Sequence, residues 1–446
     1  VHSFHYRENR LYCEEVDLAR VAQEFGTPLY VYSAGTILDH YRRLDAALAP
    51  LEHLICYAVK ANSNGAILKL LGEAGAGFDI VSGGELFRVL KAGGDPKKCT
   101  FAGVGKCREE IEYALDEGVL SFNVESEAEL RSIDEIARNK SVRAPIALRV
   151  NPDVDAGTHR YVSTGRSENK FGIALDRAAA VYEEAARMPN ILIRGVQMHI
   201  GSQITDAAPF AEAITKVTPL IRELKERYPM EFFSVGGGIG IVYESSFASG
   251  SKDWWTERDR VEATMTLPLT IQDYAAAILP PLRSIGLRVL LEPGRLLVGN
   301  AGVLLTRVRY IKQTGPKKFV IVDAGMNDLI RPALYQSYHE IVPVREPAAG
   351  NRESVDVVGP VCESGDFFAQ NRELPEMKEG DLAALMSAGA YGFAMASTYN
   401  SRPLPAEVLV QGDRFSLIRR RQTMEDLVRE ECGLGARPLA TSPSPA

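Results

Sequence analysis

Through the first 295 positions the chain alternates short apolar runs with stretches of helical period. Runs of strand length lie at 55–59, 78–81, 100–102, 121–124, 146–150, 195–200, 232–235 and 289–291. Helical patterns fill the gaps, for example at 66–74, 84–92, 107–117, 125–139 and 210–227. Eight strands joined by crossovers predict an α/β chain folded as a (β/α)8, TIM-like barrel. Apolar character at successive positions predicts strands covered on both faces, as parallel strands are. A helix over 16–25, with Asp17 near its start as a cap, and a strand over 29–32 come before this rhythm. After Arg295 the pattern changes to short β-rich runs at 302–311, 318–322, 340–344, 354–358, 382–386, 406–410 and 414–419. Turn residues separate them and long helices are few, which predicts a C-terminal antiparallel β-sandwich or small barrel.

At 446 residues the chain is too long for one ordinary compact domain. The expected layout is an N-terminal segment over 1–30 that packs with the β domain, a barrel over 31–295, the β domain over 296–434 and a disordered tail over 435–446. A connection over 243–269, with Trp254 and Trp255, lacks strong periodicity and is either a functional loop or a local insertion. Hydrophobic content of 46% and charged content of 24% fit a soluble globular protein. A net charge of -7 with no basic stripe argues against nucleic acid as partner. No run approaches the roughly 20 apolar residues that span a bilayer. The N-terminus lacks the apolar core of a signal peptide, and six cysteines without zinc-ligand spacing fit reduced thiols in a cytoplasm, with no metal site.

The strand ends carry the chemistry. Lys60 closes the first strand, where burial would disfavour its ammonium form and free a nucleophilic amine; a solvated strand end is the plainer reading. His199 closes the sixth, either as a hydrogen-bonded core histidine or as an imidazole stacked on a flat ring, with Ser202 offering a hydroxyl to a phosphate. Gly236-Gly-Gly-Ile-Gly240 follows the seventh, where barrels place phosphate sites, although a plain tight turn reads the same way. Glu292-Pro-Gly-Arg295 follows the eighth. An acid buried there needs a cation, either Arg295 or a protonated pyridine nitrogen.

Tyr57-Ala-Val-Lys60-Ala-Asn, Phe78-Asp-Ile-Val-Ser-Gly-Gly-Glu85, Lys170-Phe-Gly-Ile173, His199-Ile-Gly-Ser202, Gly236-Gly-Gly238, Glu292-Pro-Gly-Arg295, Cys362-Glu-Ser-Gly-Asp366 and Gly389-Ala-Tyr-Gly392 occur in this order. Together they resemble the alanine-racemase-like, fold-type III decarboxylases dependent on pyridoxal 5'-phosphate, and most closely the diaminopimelate decarboxylases. The resemblance runs from about residue 25 to about residue 420.

The resemblance implies that Lys60 carries the cofactor as an imine and that Asp79 lies near that bond. A structural role for Asp79 fits as well. It also implies that His199 stacks on the ring, that Glu292 faces its nitrogen, and that Ser202, Gly237, Gly238, Gly294, Arg295 and Tyr391 surround phosphate and ring. The site would lie at a homodimer interface, with Cys362, Glu363 and Tyr391 reaching into the partner's barrel and Cys362 acting as general acid. Arg295, Arg331, Tyr335, Glu363 and Tyr391 would bind the substrate. Glu292 favours decarboxylation, since a racemase of this fold sets an arginine against the ring. Two arginines favour meso-2,6-diaminopimelate over ornithine, arginine or D-lysine. A non-catalytic cofactor-binding protein is the alternative of a different class, and it would lack the second domain.

Overall fold

A computed structural model describes residues 1–155, 170–257, 269–347, 350 and 352–432. The tail expected over 435–446 and part of the connection over 243–269 lie outside the described residues. Each of the eight apolar runs forms a strand: His53–Ala58, Gly77–Ile80, Cys99–Phe101, Ser121–Val124, Ala144–Asn151, Ile191–Met198, Phe232–Ser234 and Arg288–Leu291. All pair in parallel, each with its sequence neighbour. Val289–Leu291 pairs with His53–Ile55, which closes the barrel.

The interior alternates along each strand, as a barrel requires. Leu54, Cys56, Ala147, Phe232 and Leu290 form one small buried apolar cluster. Two residues further toward the C-terminal ends, the positions following Ala147, Phe232 and Leu290 are Arg149, Ser234 and Glu292, all buried. Asp79, Asn123 and Gln197 are buried near the ends of their own strands. An apolar plug therefore lies beneath a polar upper layer.

The second sheet holds Leu29–Ser33 between Gly302–Thr314, its antiparallel neighbour, and Ala406–Gln411, its parallel neighbour. Lys317–Val322 and Arg352–Val358 are also parallel, so the sheet is mixed rather than purely antiparallel. Phe367–Pro375, a strand the periodicity does not predict, pairs with Arg352–Val358. Its alternation is blurred because Phe368 and Ala369 are consecutive buried residues. The helix Leu18–Phe25 is capped by Asp17, whose carboxylate accepts from the Ala19 N–H at 2.8 Å. Phe4, Leu11 and Leu18 share an apolar cluster with Val303, Val342 and Val408 of the second sheet.

Candidate active site

At the C-terminal mouth of the barrel a cavity of about 590 Å³, solvent included, is lined by Lys60, Asp79, Arg149, Gln197, His199, Ser202, Gly238, Glu292, Gly294, Arg295 and Tyr391 among others. Strand ends meet here because parallel strands all point their carboxyl ends to one face.

Lys60 sits in the single turn Val59–Ala61 just after the first barrel strand, and its ammonium donates to Asp79 Oδ2 at 3.3 Å. Desolvation in the cavity works against the ammonium, although the Lys60 side chain is 42% exposed, and Asp79, Tyr391 and Glu292 outweigh it and raise the lysine pKa. The expectation that burial frees the amine is thus reversed: Asp79 is 1% exposed and holds Lys60 charged. Burial pushes the Asp79 carboxyl up, and Lys60 is the chief charge opposing it. Asp79 Oδ1 is buried without a hydrogen-bond partner.

Glu292 is not paired with Arg295. Its Oε1 accepts from Ser234 Oγ at 2.7 Å and its Oε2 from Gln197 Nε2 at 2.8 Å. Burial, then the charge of Asp79, lifts its carboxyl to about 7, against these two hydrogen bonds. His199 Nδ1 accepts from the Gly237 N–H at 3.2 Å, which leaves any ring proton on Nε2. Burial, Arg149 and Lys60 drive its pKa well down, so the imidazole is neutral.

The glycine loop is wedged between neighbours. A Cβ on Gly237 would stand 2.2 Å from the Glu292 carbonyl oxygen, and one on Gly238, at φ +107°, 2.3 Å from that of Gly201. Only glycine lets this backbone reach the cavity. Ser202 Oγ accepts from Arg295 Nη2 at 3.0 Å. Tyr391 lines the cavity of its own chain, contrary to the expectation that it reaches a partner's barrel. Its N–H donates to the Ala61 carbonyl at 2.8 Å, tying it to the lysine turn, and its ring lies 4.9 Å from the Arg295 guanidinium.

Arg331 is buried behind this wall, with Nη1 donating to Tyr243 at 2.7 Å and Nη2 to Ser337 at 3.2 Å. Tyr335 ends the short helix Arg331–Tyr335, near enough to Arg295 to act on its charge. Cys362 and Glu363 are brought to neither group. Both are exposed on the connection before Phe367–Pro375, where the Cys362 N–H donates to Asn400 Oδ1 at 2.8 Å.

Arg149, Gln197, Ser234, Asn123 and Tyr243 were not singled out from the sequence. A signal existed for two of them. Arg149 and Gln197 interrupt apolar strands, and a buried polar residue there is costly without a use. Arg149 is met by Glu125, which accepts from it at 3.1 and 3.2 Å.

The pyridoxal binding domain model of pyridoxal-dependent decarboxylases matches residues 34–299. Diaminopimelate decarboxylase of Vibrio cholerae is 48% identical over 95% of this chain and 97% of its own. That of Pseudomonas aeruginosa is 49% identical over 96% and 98%. The chain belongs to the diaminopimelate decarboxylase family. Among solved structures, the family's enzyme from Helicobacter pylori, complexed with L-lysine, superposes with a TM-score of 0.85 at 41% identity, covering 93% of this chain and 98% of that one.

The cavity fits the family's cofactor. It offers a lysine for covalent attachment, a neutral imidazole for the ring face and a glycine cradle beside Ser202 for the phosphate. A carboxylate near its neutral point suits a ring nitrogen, and the unpartnered Asp79 Oδ1 remains available to a ligand.

Proposed function

We propose that this protein is a pyridoxal 5'-phosphate-dependent carboxy-lyase that converts meso-2,6-diaminopimelate to L-lysine and carbon dioxide, acting at the D-configured centre in a homodimer with shared sites. The observation that carries the reading is the convergence of Arg295 and Arg331 beside a cavity that already holds Lys60 and Glu292. When bound, the cofactor supplies an aldehyde for the substrate amine and a ring that takes up the electron pair left by departing carbon dioxide.

Lys60 anchors the cofactor, and Asp79 holds the lysine nitrogen in place. His199, neutral and fixed by the Gly237 N–H, would cover one face of the cofactor ring. Glu292, its two oxygens fixed by Ser234 and Gln197, would keep a proton on the cofactor's ring nitrogen. Gly237, Gly238, Gly294 and Ser202 hold the phosphate end. Arg295, Arg331 and Tyr335 take the distal carboxylate, since a guanidinium presents paired donors to it, and Tyr391 packs against Arg295.

Within this chain Cys362 and Glu363 stand exposed and away from the cavity. In the proposed dimer, Glu363 of the partner subunit receives the distal ammonium. Cys362 of the partner subunit returns a proton to the carbon that lost carbon dioxide. The same proposal places the enzyme in a cytoplasm with no nucleic-acid or membrane partner; no described helix is long and apolar enough to cross a membrane.

Purified protein should show the visible absorption of the lysine-bound cofactor, and Lys60→Ala should abolish it. Cys362→Ala should retain the band while cutting turnover on the order of a hundredfold or more. Mixing the two inactive chains should restore partial activity through hybrid dimers. Lack of recovery despite confirmed subunit exchange would contradict a shared site.

A further inference from the structure

The connection whose purpose the periodicity leaves open begins with Tyr243, and this residue joins the two arginines. Its phenol oxygen accepts from Nη1 of Arg295 and, at 2.7 Å, from Nη1 of Arg331. Both cations also lie over its ring, with guanidinium carbons 5.7 and 4.8 Å from the centroid. The arginines arrive from different parts of the fold, one after the eighth barrel strand and one from the helix Arg331–Tyr335 of the second domain. Two guanidiniums repel at close range, so an acceptor between them decides their spacing.

His339 fixes the arrangement from behind. Its Nδ1 faces the Met386 carbonyl at 2.8 Å and must donate there, which leaves Nε2 to accept from Arg331 Nη1 at 3.1 Å. The imidazole meets the Tyr243 ring edge-on at 5.3 Å between centroids. Nε of Arg295 and Nε of Arg331 are buried without hydrogen-bond partners, so neither guanidinium is fully satisfied by the protein. Burial opposes ionisation of the phenol, but the charges of Arg295 and Arg331 outweigh it and lower its pKa, as expected for an oxygen set between two cations.

We propose that Tyr243 is a specificity-determining positioning residue, whose hydroxyl holds Arg295 and Arg331 at the separation that fits one carboxylate at the far end of a diamino dicarboxylate. This rests on the reading of the arginine pair as the distal-carboxylate clamp. A substrate lacking that carboxylate gains nothing from the spacing, so Tyr243 acts on discrimination rather than on the bond-breaking step.

The test uses the loaded enzyme, with bound cofactor counted by its visible absorbance so that misfolded chains are left out. Tyr243→Phe should raise KM for meso-diaminopimelate about tenfold or more while kcat falls less than about threefold, the pattern of lost substrate binding. Two competitive inhibitors separate positioning from general damage: L-lysine keeps a carboxylate and 1,5-diaminopentane has none. The inhibition constant of L-lysine should rise in step with KM, and that of 1,5-diaminopentane should stay within about twofold. Arg331→Leu serves as the control and should remove most of the preference for L-lysine. If it does so while Tyr243→Phe moves both constants equally or neither, the positioning role is overturned and the clamp stands. If Arg331→Leu leaves the preference intact, the clamp itself is wrong and the role of Tyr243 falls with it.

Discussion

Glu292 ends an apolar strand yet finds hydroxyl and amide donors instead of a cation, and its carboxyl titrates at about 7 rather than 4.5. A folded-state pKa above the unfolded one means that the native protein binds the proton more tightly. Stability is therefore lost as pH rises from about 4.5 to about 7 and changes no further above that. Glu292→Gln cannot ionise. In cofactor-free protein its melting temperature relative to the parent chain should climb across that window and then level off; a constant offset would contradict burial as the cause. With cofactor bound, the same variant should keep the visible band yet lose kcat on the order of a hundredfold, because an amide cannot hold the ring nitrogen protonated. At this scale the sequence was partly legible. An acid after an apolar strand announces itself, and Lys60, His199 and Glu292 all line the one cavity. Tyr243 does not announce itself, since a tyrosine after a glycine loop looks like any other until two distant arginines meet on it. Nor could spacing reveal that Asp79 would outweigh desolvation at Lys60, because that balance depends on a distance between two strands.

The lysine turn is held by the second sheet as well as by the barrel. Asn64 caps the helix Gly65–Glu73 through its Oδ1, and its Nδ2 donates to Glu407 Oε2 at 2.9 Å. Glu407 is fully buried and also accepts from the Tyr32 hydroxyl at 2.7 Å and from Arg419 Nε. Asn62 Nδ2 reaches the Gly389 carbonyl at 3.3 Å. One carboxylate thus joins the strand Leu29–Ser33, the strand pair at the C-terminal end and the segment following Lys60. Glu407→Ala should destabilise the chain by on the order of 2–4 kcal/mol, because it strands a buried amide, a hydroxyl and a guanidinium. Chemical denaturation reads this directly, and a loss below about 1 kcal/mol would show that the contacts are replaced by water. Periodicity sufficed for the eight barrel strands, whose apolar runs are continuous. It failed for Phe367–Pro375, where strand alternation breaks, and it cannot distinguish parallel from antiparallel pairing in short strands.

The whole molecule sets a closed barrel with a polar upper layer against a second domain, whose loop after the strand Leu382–Leu385 and short helix Arg331–Tyr335 supply Tyr391 and Arg331. The groups proposed for proton return and ammonium recognition, Cys362 and Glu363, are exposed in this chain, and the proposal brings them to the cavity from a second copy. The most direct check on the proposed reaction is carbon dioxide release from meso-diaminopimelate, ornithine, arginine and D-lysine, each offered to the cofactor-loaded protein. Release from meso-diaminopimelate, matched mole for mole by L-lysine and at least about a hundredfold above every other substrate in kcat/KM, is the predicted result. Equal or faster release from ornithine or arginine, or none from any of the four, would contradict it.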